Sequence, residues 1–168
     1  MKNLKLFVPV LFIIISGCRI FKNESKEKIQ TGLISLNEVK HYKWFKQEYK
    51  KYNFLKNVTD SLAGAESFKI TIVGGDWCSD TKLYLPQLIK ILEEVKFPQE
   101  NLKIIFVDRS KQKPKGVDNS FDGLQIKFIP TFIVYDLAGN EIGRIVESPK
   151  KTLEQDLLKI IATKPQNH

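Results

Sequence analysis

The amino-acid sequence predicts a single α/β domain, and three features point to it. Two short, almost wholly apolar runs at 68–73 and 102–107 are separated by a helix-length segment. Buried runs joined by a helical crossover form a parallel pair. Two β-rich runs, 131–135 and 141–146, flank Asp136-Leu137-Ala138-Gly139-Asn140, which adds an antiparallel hairpin. The 168 residues are 42% hydrophobic and 11% aromatic, enough for one ordinary core and too few for a multidomain enzyme. That composition also excludes global disorder.

The chain opens with Lys2 and Lys5 and no acid. An apolar stretch follows over 6–15, broken only by Pro9, and closes on Ser16-Gly17-Cys18. A basic start, a short apolar stretch and small residues make a secretory signal, and the stretch is too short to span a ~30 Å hydrocarbon core. Ile15-Ser16-Gly17-Cys18 resembles a bacterial lipobox, whose cysteine is acylated and becomes the new N-terminus. The expected organisation is a lipoprotein signal peptide at 1–17, a polar, aperiodic tether at 18–34, and a folded domain at 35–165. No acidic run follows Cys18, so the expected location is the bacterial cell envelope, lipid-anchored and facing the periplasm. Loss of Lys2 and Lys5 with the leader takes the net charge from +8 to +6.

Ser35 with Glu38 is a capping box that opens a helix. Val39, Tyr42, Phe45, Tyr49 and Tyr52 then recur at helical spacing as a core-facing stripe. Residues 57–67 are turn-rich. The strand at 68–73 ends in Gly74-Gly75, a helix runs from about Cys78 to Val95 with Pro86 inside it, and the strand at 102–107 ends at Asp108. A basic Pro/Gly loop at 109–119 and a short helix lead to the hairpin, and an amphipathic helix at 152–162 closes the domain.

Cys78 lies at the turn from a buried strand into a helix, in Gly74-Gly75-Asp76-Trp77-Cys78-Ser79-Asp80-Thr81. The positive end of the helix dipole and the unpaired amides of the first turn favour a thiolate there. Asp80 opposes it by like charge, or exchanges a proton with the sulfur. The plain alternative stays open: Cys78 as a small buried hydrophobe and Asp80 as an ordinary first-turn acid.

This stretch resembles the thioredoxin superfamily, whose active site follows a core strand as Trp-Cys-x-x-Cys. Trp77-Cys78 matches; Pro86, eight residues after Cys78, falls at the family's helix proline; and Ile129-Pro130-Thr131 matches its Ile–cis-Pro–Thr. The strand at 141–146 and the helix after it resemble the family's ending, so the likeness covers about 68–163, with the preceding helix at 36–53. It implies a central mixed sheet of four to five strands flanked by helices on both faces. It also implies a substrate groove at Trp77, Ile129 and Pro130, and Cys78 as nucleophile.

Two departures limit the chemistry. Thr81 replaces the second cysteine, and Ile72 stands where the family often buries a relay acid. With Cys18 acylated, one thiol remains. The resemblance then implies one-thiol disulfide exchange of reductase or isomerase type, with Asp80 and Thr81 tuning the sulfur and Thr81 donating its hydroxyl to it. Gly75 stands where peroxidatic members carry Thr. The alternative from another class is a redox-inactive thioredoxin-fold binding or chaperone-like lipoprotein.

Expected partners are cysteine-containing proteins or small thiols, and the membrane through the N-terminal lipid. Nucleic acid is not expected, because the excess charge has no patterned groove. No cofactor is expected, since there is neither a phosphate-binding loop nor a dinucleotide glycine fingerprint. No metal is expected either: Cys78 with Asp80 falls short of a site, and His41 sits among lysines. Lys111, Lys113 and Lys115 read as a solvated loop.

Overall fold

β2 (Phe68–Gly74) is the centre of the sheet, and its two faces divide the molecule. The computed structural model describes residues 29–62 and 67–163; the expected signal peptide and Cys18 lie outside them. In chain order the elements are β1 (Gly32–Leu33), α1 (Leu36–His41), α2 (Lys43–Lys51), α3 (Lys56–Asp60), β2, α4 (Ser79–Glu94), β3 (Leu102–Phe106), β4 (Thr131–Asp136), β5 (Glu141–Val146) and α5 (Leu153–Ala162). The strand order is β1-β3-β2-β4-β5, with β2 parallel to β3 and every other neighbour antiparallel. The predicted parallel pair and hairpin are both present, in a five-stranded mixed sheet.

Strand periodicity sorts the side chains. Ile72 is in register with Ile104 and with Phe132, and Phe132 with Ile145, so these four share one face. Val39, Phe45, Leu85, Leu88, Ile89, Leu153 and Leu157 pack against that face from α1, α2, α4 and α5. The opposite face carries Val73 and Ile105. Val107, Val117, Phe121 and Ile129 cover them, from the segment between β3 and β4 with its 3₁₀ helix Asn119–Leu124. Polar contacts clamp this cover to the sheet: Lys103 pairs with Asp118 at 2.8 Å, and Arg144 Nη1 donates to the Leu124 carbonyl at 3.0 Å. Lys103, followed by the Ser120 hydroxyl and amide, holds the Asp118 carboxyl well below its ordinary value.

The capping box forms, with the Glu38 amide donating to Ser35 Oγ and the Ser35 amide donating to Glu38 Oε2. The single helix expected after it is broken at Tyr42, whose backbone is extended. Val39 and Phe45 are both buried, yet six residues place them about 120° apart on a continuous helix. The break resets the phase so that both reach the core, and it sets the Tyr42 ring 5.1 Å from Trp44. The stretch expected as a tether reaches residue 34, and its last residues join the sheet. Gly32–Leu33 pairs with β3, and Ile34 is buried, its amide donating to the Ile104 carbonyl. Apolar Leu33 and Ile34 are too few to register as a strand until β3 offers its open edge.

Part of the turn-rich stretch is helix α3, held from a distance. Glu154, 1% exposed on α5, accepts the Leu55 amide at the head of α3 and the Tyr52 hydroxyl, each at 2.7 Å. Burial alone would raise this carboxyl, but the Leu55 amide and Tyr52 hydroxyl outweigh it and hold it below 4.5. A depressed folded-state value contributes stability above the unfolded value, lost as pH falls. Urea unfolding of Glu154→Gln is expected to show a loss of about 1–3 kcal/mol at pH 7. The difference from wild type should shrink as pH falls below the unfolded value of about 4.5 and through the lower folded-state value.

Candidate active site around Cys78

The turn from β2 into α4 is built on two glycines with no room for a side chain. A Cβ on Gly74 would lie 2.7 Å from Thr81 Cγ2, and one on Gly75 would lie 2.7 Å from Trp77 Nε1 and 3.0 Å from the Val107 carbonyl. The Cys78 amide closes the turn on the Gly75 carbonyl at 3.0 Å, and the Cys78 carbonyl accepts the Lys82 amide, the first bond of α4. Cys78 is therefore the N-cap residue of a sixteen-residue helix. The partial positive charge of the helix end lies beside its side chain.

The sulfur is half-buried. Its hydrogen bond goes to the Ile129 carbonyl at 3.5 Å, on the loop that enters β4. The Ile129–Pro130 peptide is cis, Ile129 and Pro130 are buried, and the Pro130 carbonyl accepts the Glu147 amide at 2.7 Å. The fold thus brings Trp77, Cys78, Ile129 and Pro130 together across about fifty residues of chain. Pro86 is buried inside α4. Trp77 is anchored by its indole N–H, which donates to the Val107 carbonyl at 2.8 Å.

A sequence-family profile described as thioredoxin matches residues 31–159. The chain belongs to the thioredoxin family. No curated protein sequence matches it. Among solved structures, an HIV epitope-scaffold has a TM-score of 0.50 with 20% identity, over 71% of this chain and 81% of that one. A Pseudomonas aeruginosa protein of unknown function has a TM-score of 0.48 with 20% identity, over 70% and 80%. Mitochondrial thioredoxin 3 from Saccharomyces cerevisiae, in its oxidised form, has 0.38 with 19% identity, over 68% and 97%. At such identities structural likeness speaks to the fold alone.

Thr81, at the place of the second cysteine in the thioredoxin pattern, faces the turn ahead of the helix. It is fully buried, and its Oγ1 accepts the Gly75 amide at 3.2 Å; no hydrogen bond joins it to the sulfur. A side chain one turn into the helix and facing the sheet meets the β2–α4 turn first, so Thr81 braces the turn that carries Cys78. Asp80 is half-buried in the first turn of α4, and its carboxylate makes no hydrogen bond or ion pair among the described residues. His41 is exposed and contacts the Asn37 carbonyl within its own helix. The described residues contain no cluster of three or more His, Cys, Asp or Glu side chains able to hold a metal, and none of their helices is long and apolar enough to cross a membrane.

Two residues at this site escaped sequence reasoning. Asp76 Oδ2 accepts the Gln30 amide at 2.9 Å, tying the chain ahead of β1 to the active-site turn, while Oδ1 is buried without a hydrogen-bond partner among the described residues. Arg109, from the loop after β3, lies over the Trp77 ring at 4.7 Å from its centroid. Both contacts are long-range, and neither leaves a local spacing signal. The glycine packing is directly measurable. Gly74→Ala should cost roughly 1–3 kcal/mol in urea unfolding, as overpacking does. Adding Thr81→Ser, which removes Cγ2, should recover part of that loss; no recovery would mean the strain lies elsewhere.

Proposed function

We propose that this thioredoxin-family protein is a lipid-anchored, periplasm-facing catalyst of single-thiol disulfide exchange acting through Cys78. The observation that carries this is the half-buried sulfur at the head of α4, facing the Ile129 carbonyl, with a buried Thr81 where a second thiol would stand. The Cys78 thiolate attacks one sulfur of a substrate disulfide. A new S–S bond forms, the old one breaks, and the other half departs as a thiolate. A second thiol, from the substrate or from a small thiol in solution, then attacks the mixed disulfide and releases Cys78 as a thiolate. Nothing is oxidised or reduced on the protein over the cycle, because the external thiol supplies the electrons. Trp77, Ile129 and Pro130 flank the incoming chain. Asp80, on the same helical turn, tunes the sulfur through its charge, and Thr81 is a positioning residue acting through Gly75.

The test uses the full-length chain with Cys18→Ala, so that Cys78 is the only thiol. Incubation with a small neutral disulfide should give one adduct by mass spectrometry, mapped to Cys78 and released by added thiol. Cys78→Ser should give none. A Cys78 that stays unmodified while a free thiol of comparable size reacts would overturn the proposal. Thr81→Cys should add an intramolecular disulfide and the ability to reduce substrates without a resolving thiol. For the anchor, Cys18→Ala should move the protein from the membrane fraction to the soluble one. A variant that stays with the membrane removes the lipid reading.

A further inference from the structure

Arg109 is exposed and makes no ion pair or hydrogen bond among the described residues. Of the charged groups in and beside the same segment, some are already engaged, although Lys111 and Lys115 make no ion pair among the described residues. Lys113 binds Asn119 and Asp122, Lys103 binds Asp118, and the Asp108 carboxylate accepts the Ser110 amide and hydroxyl. The guanidinium nevertheless has a defined position, because it rests on the Trp77 face at 4.7 Å from the centroid. That platform is itself fixed, by the indole bond to the Val107 carbonyl and by close packing over Gly75. Trp77 and Cys78 pack against one apolar cluster with Val107 and Ile129, so Arg109 sits on the residue adjacent to Cys78. A guanidinium stacked by its face keeps its edge N–H donors free, and those donors match a carboxylate in a planar, two-pronged geometry.

We propose that Arg109 is a specificity-determining residue that selects disulfides bearing a carboxylate near the reacting sulfur. This rests on the single-thiol exchange proposed for Cys78 and adds the substrate class. The acids on the same turns, Asp76 and Asp80, oppose it by like charge. Selection therefore comes from the directed contact on Trp77 and not from a general positive field.

The experiment measures the rate of mixed-disulfide formation on Cys78 in the full-length Cys18→Ala chain. The probes are three aliphatic disulfides of similar size: dithiodipropionate (anionic), hydroxyethyl disulfide (neutral) and cystamine (cationic). The ratio of the anionic to the neutral rate should fall about 3–10-fold in Arg109→Glu, as loss and reversal of one charged contact implies. It should fall by a smaller factor in Arg109→Gln, which keeps a planar group on the indole, and 0.5 M salt should reduce the wild-type preference. An anionic-to-neutral ratio equal in wild type and Arg109→Glu overturns the selection while leaving exchange at Cys78 intact. Failure of all three probes to modify Cys78 overturns the exchange itself, and the selection with it.

Discussion

The space at Gly74 and Gly75 governs this molecule more than any other constraint. Thr81 fills the place of a Gly74 side chain, and Trp77 fills the place of one on Gly75. Because those contacts are closed, β2 turns into α4 within four residues, and Cys78 arrives at the helix N-cap facing the Ile129 carbonyl. Strand β2 in turn is held on both sides, by β3 in parallel and β4 in antiparallel register. The loop entering β4 is thereby delivered to the sulfur. A wider turn would part the two halves of the site.

The sheet's two faces are stabilised differently. One buries a continuous apolar cluster under α1, α2, α4 and α5, with burial as its driving force. The other carries a smaller cluster under an irregular segment and relies on polar clamps, Lys103 to Asp118 and Arg144 to Leu124, to hold that cover. The same irregular segment supplies Val107 and Arg109 to Trp77. Elements that frame the thiol thus come from the side with the smaller apolar cluster, as binding loops on a rigid scaffold commonly do.

Thr81 stands where the thioredoxin pattern has a second cysteine, and it braces the turn that carries Cys78. Thr81 retains a buried hydrogen bond to Gly75, so the turn survives without a second sulfur. Under the exchange proposed for Cys78, a mixed disulfide would be resolved by a thiol from outside, which would place the substrate, or a small thiol, inside the mechanism.

Much of this was legible in the residues. The apolar runs at 68–73 and 102–107, the hairpin turn at 136–140, the Ser35–Glu38 capping box and the Trp77-Cys78 turn each carry a local signal of period, turn chemistry or motif, and local signals survive without a fold. The helix break at Tyr42, the strand at Gly32–Leu33 and helix α3 carry none. The first answers to where the core lies, the second to the free edge of β3, and the third to Glu154 reaching Leu55 and Tyr52 across about a hundred residues. Local chemistry therefore determined the architecture, the placement of a thiol at a helix start and a threonine at the place of a second cysteine in that turn. Which atoms face that thiol was decided by tertiary structure: Ile129 opposite the sulfur, Thr81 turned to Gly75, Arg109 on Trp77. Those contacts depend on strand register and side-chain packing, which exist only once distant segments are brought together.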